Sequence, residues 1–166
     1  MKKKFFLAFI LILAITFSSC EKDDICAETT ATTPRLIVTF YDVNNPSVEK
    51  NVTSLEVTGE GMIDSLQVFN SVSSIEIPLS IAEDSVTYIF ELNSNNANIN
   101  QDLLKLNYTR TNVYVSRACG YKTIFALDPE TPFELTDNND GLWIQEVAVV
   151  QPNIENEDET HVSIYF

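Results

Sequence analysis

The sequence predicts an all-β domain, for three reasons. From Arg35 onward, short runs of alternating polar and apolar residues recur about 8–12 residues apart, with turn-forming residues between them. No stretch after residue 20 keeps helical apolar spacing for more than a turn or two, and 99–104 is the best candidate for a short helix. Apolar residues make up 45% of the 166, too many for a disordered acidic tail. An antiparallel two-sheet sandwich, immunoglobulin-like, is favoured, and a small β-barrel is the alternative.

Five strands are predicted in the first half of the domain. They lie at 36–41, 52–58, 65–70, 74–79 and 85–92. The first is a β-branched and aromatic run that ends at the turn residues Asn44-Asn45-Pro46. The stretches 52–58 and 85–92 alternate in polarity, as expected for strands with one buried face.

Five more strands are predicted after an Asn-rich loop at 93–100. They lie at 104–109, 113–119, 121–126, 142–150 and 161–166. The segment 137–141, Asp-Asn-Asn-Asp-Gly, is typical of a hairpin turn because Gly accepts a positive φ. The segment does not fit an EF-hand calcium loop, because Thr136 would occupy the first ligand position and the later Glu ligand is missing. No metal site is predicted.

Residues 1–19 have the pattern of a signal peptide. Lys2-Lys3-Lys4 are followed by an apolar stretch from Phe5 to Phe17 and by Ser18-Ser19. The small-small-Cys ending resembles the lipobox of bacterial lipoproteins, which implies that Cys20 is acylated after cleavage. An ordinary secretory signal is the alternative.

The residues after Cys20 refine the predicted location. Glu21-Lys22-Asp23-Asp24 is similar to the export signal that sends Bacteroidota lipoproteins to the outer face of the outer membrane. A periplasm-facing position is the alternative. Residues 20–34 are predicted to be a lipid-anchored, acidic and Thr-rich linker, and 35–166 a single β-rich domain.

The other two cysteines are expected to form a disulfide. With Cys20 acylated, Cys26 and Cys119 are an even number in an oxidising compartment. A metal or redox pair lacks support because there is no Cys-x-x-Cys and the chain has one histidine. The disulfide would leave residues 21–25 between the lipid and the domain, a reach of at most about 20 Å.

The charge pattern excludes general nucleic-acid binding and suggests one basic surface. The chain has 24 acidic and 10 basic residues, and three of the basic ones are in the signal, so a general nucleic-acid binder is excluded. The stretch 103–127 nevertheless has no acidic residue and contains Lys105, Arg110, Arg117 and Lys122. These four form a possible basic patch. The alternative is that each cation is paired with an acidic neighbour.

No catalytic residue or cofactor is predicted. His161 is the only histidine, no Gly-x-Ser-x-Gly elbow is present, and pairs among so many carboxylates carry no specificity. Asp64-Ser65-Leu66 and Asp84-Ser85-Val86 fit the triplet at which Bacteroidota attach O-linked glycans, so Ser65 and Ser85 are possible glycosylation sites. Ordinary turn chemistry is the alternative for both.

Residues 108–125 read YTRTNVYVSRACGYKTIF, and the chain closes on THVSIYF. Together with the lipobox and Cys26, these segments resemble a family of small flavobacterial lipoproteins of unknown function. The resemblance implies a β-rich bacterial lipoprotein and brings no catalytic residue. The predicted role is therefore a non-catalytic binding or structural module, joined to the membrane by its lipid, with an unspecified protein or glycan partner. A small carbohydrate-active or hydrolytic enzyme and an accessory subunit of a surface complex are the alternatives.

Overall fold

Strands account for all the regular secondary structure in the part of the chain that the computed structural model describes, residues 25–62, 67–95 and 98–166. These residues contain no helix, hence none long and apolar enough to cross a membrane. The strands are β1 (Leu36–Asp42), β2 (Asn45–Glu49), β3 (Leu55–Gly59), β4 (Gln67–Phe69), β5 (Ser74–Ile77), β6 (Ser85–Leu92), β7 (Asn100–Ser116), β8 (Gly120–Leu127), β9 (Phe133–Asp137), β10 (Glu146–Val149), β11 (Asn153–Ile154) and β12 (Val162–Tyr165).

The chain divides into two compact units. The described residues of the small unit are 25–30 and Tyr114–Tyr121. The large unit is Ala31–Val113 with Lys122–Phe166 and contains the core.

The first sheet is built around β1. Its order is β10-β12-β1-β2, and β5 also pairs with β1. The first five residues of β1 are all buried, which explains its nearly continuous apolar sequence. β12 runs parallel to β1, with Val38 opposite Val162 and Tyr41 opposite Tyr165, whereas the other pairs in this sheet are antiparallel.

The second sheet is built around β7. Its order is β11-β8-β7-β6-β3-β4, and β9 also pairs with β7. Over 102–106, β7 has β6 on one edge and β9 on the other. Side chains alternate as the sequence predicts: Leu104, Leu106 and Tyr108 are buried, and Lys105 is on the opposite face.

Apolar side chains from both sheets form one core, so the predicted two-sheet sandwich is confirmed. The fully buried large side chains include Leu36, Phe40, Leu55, Ile77, Tyr88, Phe90, Leu104, Leu106, Ile144 and Ile164. Burial of each such side chain is worth about 1.5–3 kcal/mol.

Several details of the predicted secondary structure are wrong. The stretch 99–104 is not helical, because β7 begins at Asn100 and its backbone pairs with β6. The separate strands predicted at 104–109 and 113–119 belong to this one 17-residue strand as far as Ser116, and residues 117–119 form a turn. β2 was not predicted, because its five residues are all exposed and begin inside the Asn44-Asn45-Pro46 turn signal.

Candidate functional site

A disulfide joins the two segments of the small unit. Cys26 and Cys119 are bonded with their Cα atoms 4.9 Å apart, across a sequence separation of 93 residues. The predicted disulfide is confirmed. Cys20, the predicted site of lipidation, lies outside the described residues.

Two exposed tyrosines lie on the same unit as the disulfide. Tyr114 is 55% exposed and Tyr121 is 69% exposed, and their rings meet edge to face with centroids 5.4 Å apart. Ile25, next to Cys26, is 83% exposed. Tyr88, Tyr108 and Trp143, by contrast, are core residues.

An open pocket of about 410 Å³ lies within the small unit. Its lining includes Ile25, Tyr114, Arg117 and Cys119. Arg117, one of the four cations of the possible basic patch, is exposed. The small unit thus combines apolar, aromatic and cationic groups beside the disulfide.

Two other members of the possible patch are paired with carboxylates. Lys105 Nζ lies 2.8 Å from Glu134 Oε1, and this contact lowers the pKa of Glu134. Arg110 Nε lies 2.6 Å from Asp84 Oδ1, and the hydrogen bond to Asp84 raises the pKa of Arg110. Both cations therefore have an acidic partner, which is the alternative to the basic patch for these two residues.

Lys122 has a different partner. Its Nζ donates a hydrogen bond to the backbone oxygen of Glu155 at 3.3 Å.

Among the predicted glycosylation sites, Ser65 lies outside the described residues, and Ser85 is the first residue of β6, opposite Asn107.

His161 is buried in the large unit and makes a structural contact. Its Nδ1 accepts a hydrogen bond from the backbone N–H of Ile37 at 2.9 Å. Burial lowers the pKa of His161, which favours the neutral ring. Within the described residues no serine or cysteine side chain hydrogen-bonds to this imidazole, and its Nε2 is buried without a partner.

A cluster of three carboxylates lies at the end of the second sheet. Oxygens of Asp102, Asp137 and Asp140 lie within 4.8 Å of one another, and we call these residues the aspartate cluster. The segment 137–141 leads from β9 in the second sheet towards β10 in the first, so the predicted hairpin turn is wrong. Within it, Asp137 Oδ1 accepts hydrogen bonds from the backbone N–H groups of Asp140 and Gly141. Gly141 has a φ of 92°, a conformation that favours glycine.

Asp102 is the buried member of the aspartate cluster and is 0% exposed. Its Oδ2 accepts hydrogen bonds from the backbone N–H groups of Trp143, at 3.0 Å, and Ile144, at 2.7 Å. Burial raises the pKa of Asp102 despite these two bonds, and the charges of Asp140 and Asp137 raise it further. Sequence reasoning missed Asp102, which it placed near a short helix, although an acid amid the apolar residues of a strand is the signal that could have identified it.

Searches of curated proteins and of solved structures find no match. A protein-family model matches residues 54–166, which include β3 to β12, Cys119 and the aspartate cluster. Because this match covers more than half of the chain, the protein belongs to the family of unknown function DUF6452.

Proposed function

We propose that this protein is a lipoprotein anchored through Cys20 in the bacterial outer membrane, with its domain on the cell surface as a non-catalytic binding or structural module. The observation that carries the proposal is the Cys26–Cys119 disulfide. It fixes residue 26, only six residues after the proposed acylated cysteine, to the Tyr114–Tyr121 segment of the small unit. The signal-like residues 1–19 and the resemblance to flavobacterial lipoproteins support the same role.

The length of the tether limits how far the small unit can move from the membrane. Residues 21–25 span at most about 20 Å when fully extended. This is less than the roughly 30 Å thickness of the hydrocarbon core of a bilayer. A lipid on Cys20 would therefore keep the small unit close to the headgroups.

The exposed side chains of the small unit suit that position. Tyrosine rings are amphipathic and are enriched at membrane interfaces, and Tyr114 and Tyr121 are both exposed here. Ile25 adds apolar surface, and Arg117 adds a positive charge that would favour anionic headgroups.

A binding or structural role accounts for the polar groups better than catalysis does. His161 is buried and held neutral by its surroundings, and the hydrogen bond to Ile37 occupies its Nδ1. An enzyme using this imidazole would need an accessible nucleophile beside it. The partner of such a module would be a protein or glycan at the cell surface.

Metabolic labelling with a palmitate analogue tests the anchor. The full-length precursor, expressed in a Bacteroidota host, should incorporate the label, and Cys20→Ala should not. Cys26→Ser is the matched control, because it removes a cysteine six residues away and should leave labelling intact. Label that survives Cys20→Ala would overturn the anchor.

Protease treatment of intact cells tests the exposed location. Digestion in intact cells is expected for a surface protein, whereas digestion only after the outer membrane is opened would show a periplasm-facing domain. A periplasmic marker protein that survives the first treatment is the control.

A further inference from the structure

The pairing of β7 with β9 places two carboxylates face to face. Asp102 and Asp137 are register partners across these antiparallel strands. Like charges directly opposite each other destabilise a sheet. Asp140 brings a third carboxylate oxygen to within 4.8 Å of the other two. Unless a positive charge is supplied, this end of the second sheet is electrostatically unfavourable.

The described residues supply no such charge. In the described ranges, none of the three aspartates forms an ion pair with a lysine, arginine or histidine. The nearest cation along β7, Lys105, is paired with Glu134. The aspartate cluster thus has no cationic partner among the described residues.

A buried oxygen without a partner points to a ligand. Asp102 is fully buried, its Oδ2 receives two backbone hydrogen bonds, and its Oδ1 receives none from the described residues. Leaving a buried carboxylate oxygen without a partner costs free energy. Burial already raises the pKa of Asp102, as expected for a carboxylate without a counter-charge.

Asn100 adds a neutral oxygen to the same region. It lies two residues before Asp102 and therefore on the same face of β7. Its Nδ2 donates a hydrogen bond to the backbone oxygen of Gly141 at 2.7 Å, which orients the amide, and its Oδ1 is buried without a partner. Two buried oxygens, one charged and one neutral, thus lack hydrogen-bond donors at this end of the strand.

We propose that Asp102, Asp137 and Asp140 bind a divalent cation of the calcium type, with the Asn100 side-chain oxygen as a further ligand. All four residues offer oxygen, and neither histidine nor thiolate is present, a set that suits a hard cation rather than zinc or copper. Asparagine and aspartate oxygens are usual calcium ligands, and sites in extracellular modules typically bind with dissociation constants of about 10⁻⁴–10⁻³ M.

Binding at this position would join three parts of the large unit. The cation would bridge β7 to β9 and to the 137–141 turn, after which the chain passes through Trp143 and Ile144 to β10 in the first sheet. Because Asp102 also accepts hydrogen bonds from those two residues, the site would connect the second sheet with the chain that crosses to the first. Calcium is therefore expected to stabilise the sandwich as well as to bind it.

Trp143 provides a direct probe, because it is the only tryptophan in the chain and its backbone N–H bonds to Asp102. Purified mature protein, freed of metal by a chelator, is titrated with terbium, a luminescent calcium substitute. Excitation of tryptophan should produce terbium emission, and excess calcium should abolish it. At ten times the dissociation constant, calcium should also raise the melting temperature by roughly 3–6 °C.

The variants separate binding from folding. Asp140→Asn removes an exposed carboxylate. It should raise, at least tenfold, the terbium concentration at half-maximal emission and the calcium concentration at half-maximal rise in melting temperature. Asp102→Asn should abolish both responses and raise the melting temperature of the metal-free protein, since an amide removes the charge repulsion. Asp158→Asn is the control, because it removes the same charge from an exposed loop outside the aspartate cluster and should leave both responses unchanged.

Three outcomes would overturn the proposal. One is the absence of tryptophan-sensitised emission and of any calcium-dependent shift in melting temperature up to about 5 mM, well above the usual range for such sites. Another is an unchanged response in a folded Asp140→Asn variant. The third is an equal loss in Asp158→Asn, which would show that general negative charge, and not the aspartate cluster, holds the cation.

Discussion

The imidazole of His161 and the backbone of Ile37 are joined by a hydrogen bond of 2.9 Å, in which Nδ1 accepts from the N–H group. The backbone N–H of His161 in turn donates to the carbonyl of Ile37 at 3.0 Å. These two bonds fasten the residue before β12 to β1. Because Nδ1 can accept only while it carries no proton, the contact requires a neutral ring.

Stability should therefore depend on the protonation of His161. Burial lowers its pKa below the ordinary value of 6.5, although the charges of Glu159 and Glu157 act in the opposite direction. The unfolded chain then takes up a proton near pH 6.5 and the folded chain only at lower pH. The free energy of unfolding is expected to fall as pH decreases below 6.5, by up to about 1.4 kcal/mol per pH unit, until the folded pKa is reached.

Urea unfolding across this pH range measures the effect. His161→Asn is the matched variant, because its amide oxygen can accept the bond from Ile37 and does not titrate. It should remove this part of the pH dependence. An identical pH dependence in His161→Asn would assign it to other groups.

A second pH effect involves Glu157, whose carboxylate receives hydrogen bonds from the backbone and guanidinium N–H groups of Arg35. The Arg35 contact lowers the pKa of Glu157 to about 2. The stabilisation from this pair is present above the ordinary value of 4.5 and is lost as pH falls from 4.5 towards 2. NMR titration of the Glu157 carboxyl should give the lowered value in the native protein and one near 4.5 in Arg35→Gln.

Glu76 offers the control for that titration. It also contacts Arg35, at 2.5 Å, but the groups that lower the Glu157 pKa belong mainly to Arg35. Glu76→Gln should therefore leave the Glu157 titration nearly unchanged. A shift as large as that of Arg35→Gln would contradict this assignment.

Removal of the disulfide should destabilise the protein. In the chain-entropy model, a cross-link that closes a loop of this size contributes about 4 kcal/mol. Cys26→Ser with Cys119→Ser should lower the urea midpoint accordingly. Alkylation of the native protein should find both thiols only after reduction, and two reactive thiols before reduction would contradict the bond.

Contact of the small unit with membranes can be tested without the lipid. A soluble form lacking Cys20 should associate weakly with anionic vesicles, and Tyr114→Ser with Tyr121→Ser should reduce the bound fraction, since interfacial tyrosines are lost. Val150→Ser, an exposed apolar position of the large unit, is the control. Equal losses in all variants would indicate nonspecific apolar adsorption.

The sequence predicts this fold well where one strand face is buried. Leu104, Leu106 and Tyr108 follow the alternation that β7 shows, because burial imposes a two-residue period. Two of the errors fall where that period is missing. β2 has no buried face, and the start of β7 carries Asn100 and Asp102, polar residues whose burial depends on partners distant in sequence.

Dependence on partners distant in sequence also explains which site residues could be predicted and which were missed. The disulfide could be predicted because oxidised cysteines pair and only two remained. The aspartate cluster could not, since Asp102 lies on β7 and Asp137 on β9, and only their register brings them together. Likewise, the partners of Lys105 and Arg110 lie 29 and 26 residues away along the chain.

The parallel pairing of β1 with β12 has a consequence for biogenesis. Val38 cannot pair with Val162 until the whole segment between them has been synthesised, so this part of the first sheet forms late. Pairing over so long a sequence separation is slow because the entropy of loop closure must be overcome first, and the edge of β1 stays exposed until β12 docks. Truncation by even one strand would leave β1 with a bare edge, the kind of surface that proteolytic quality control and aggregation both exploit.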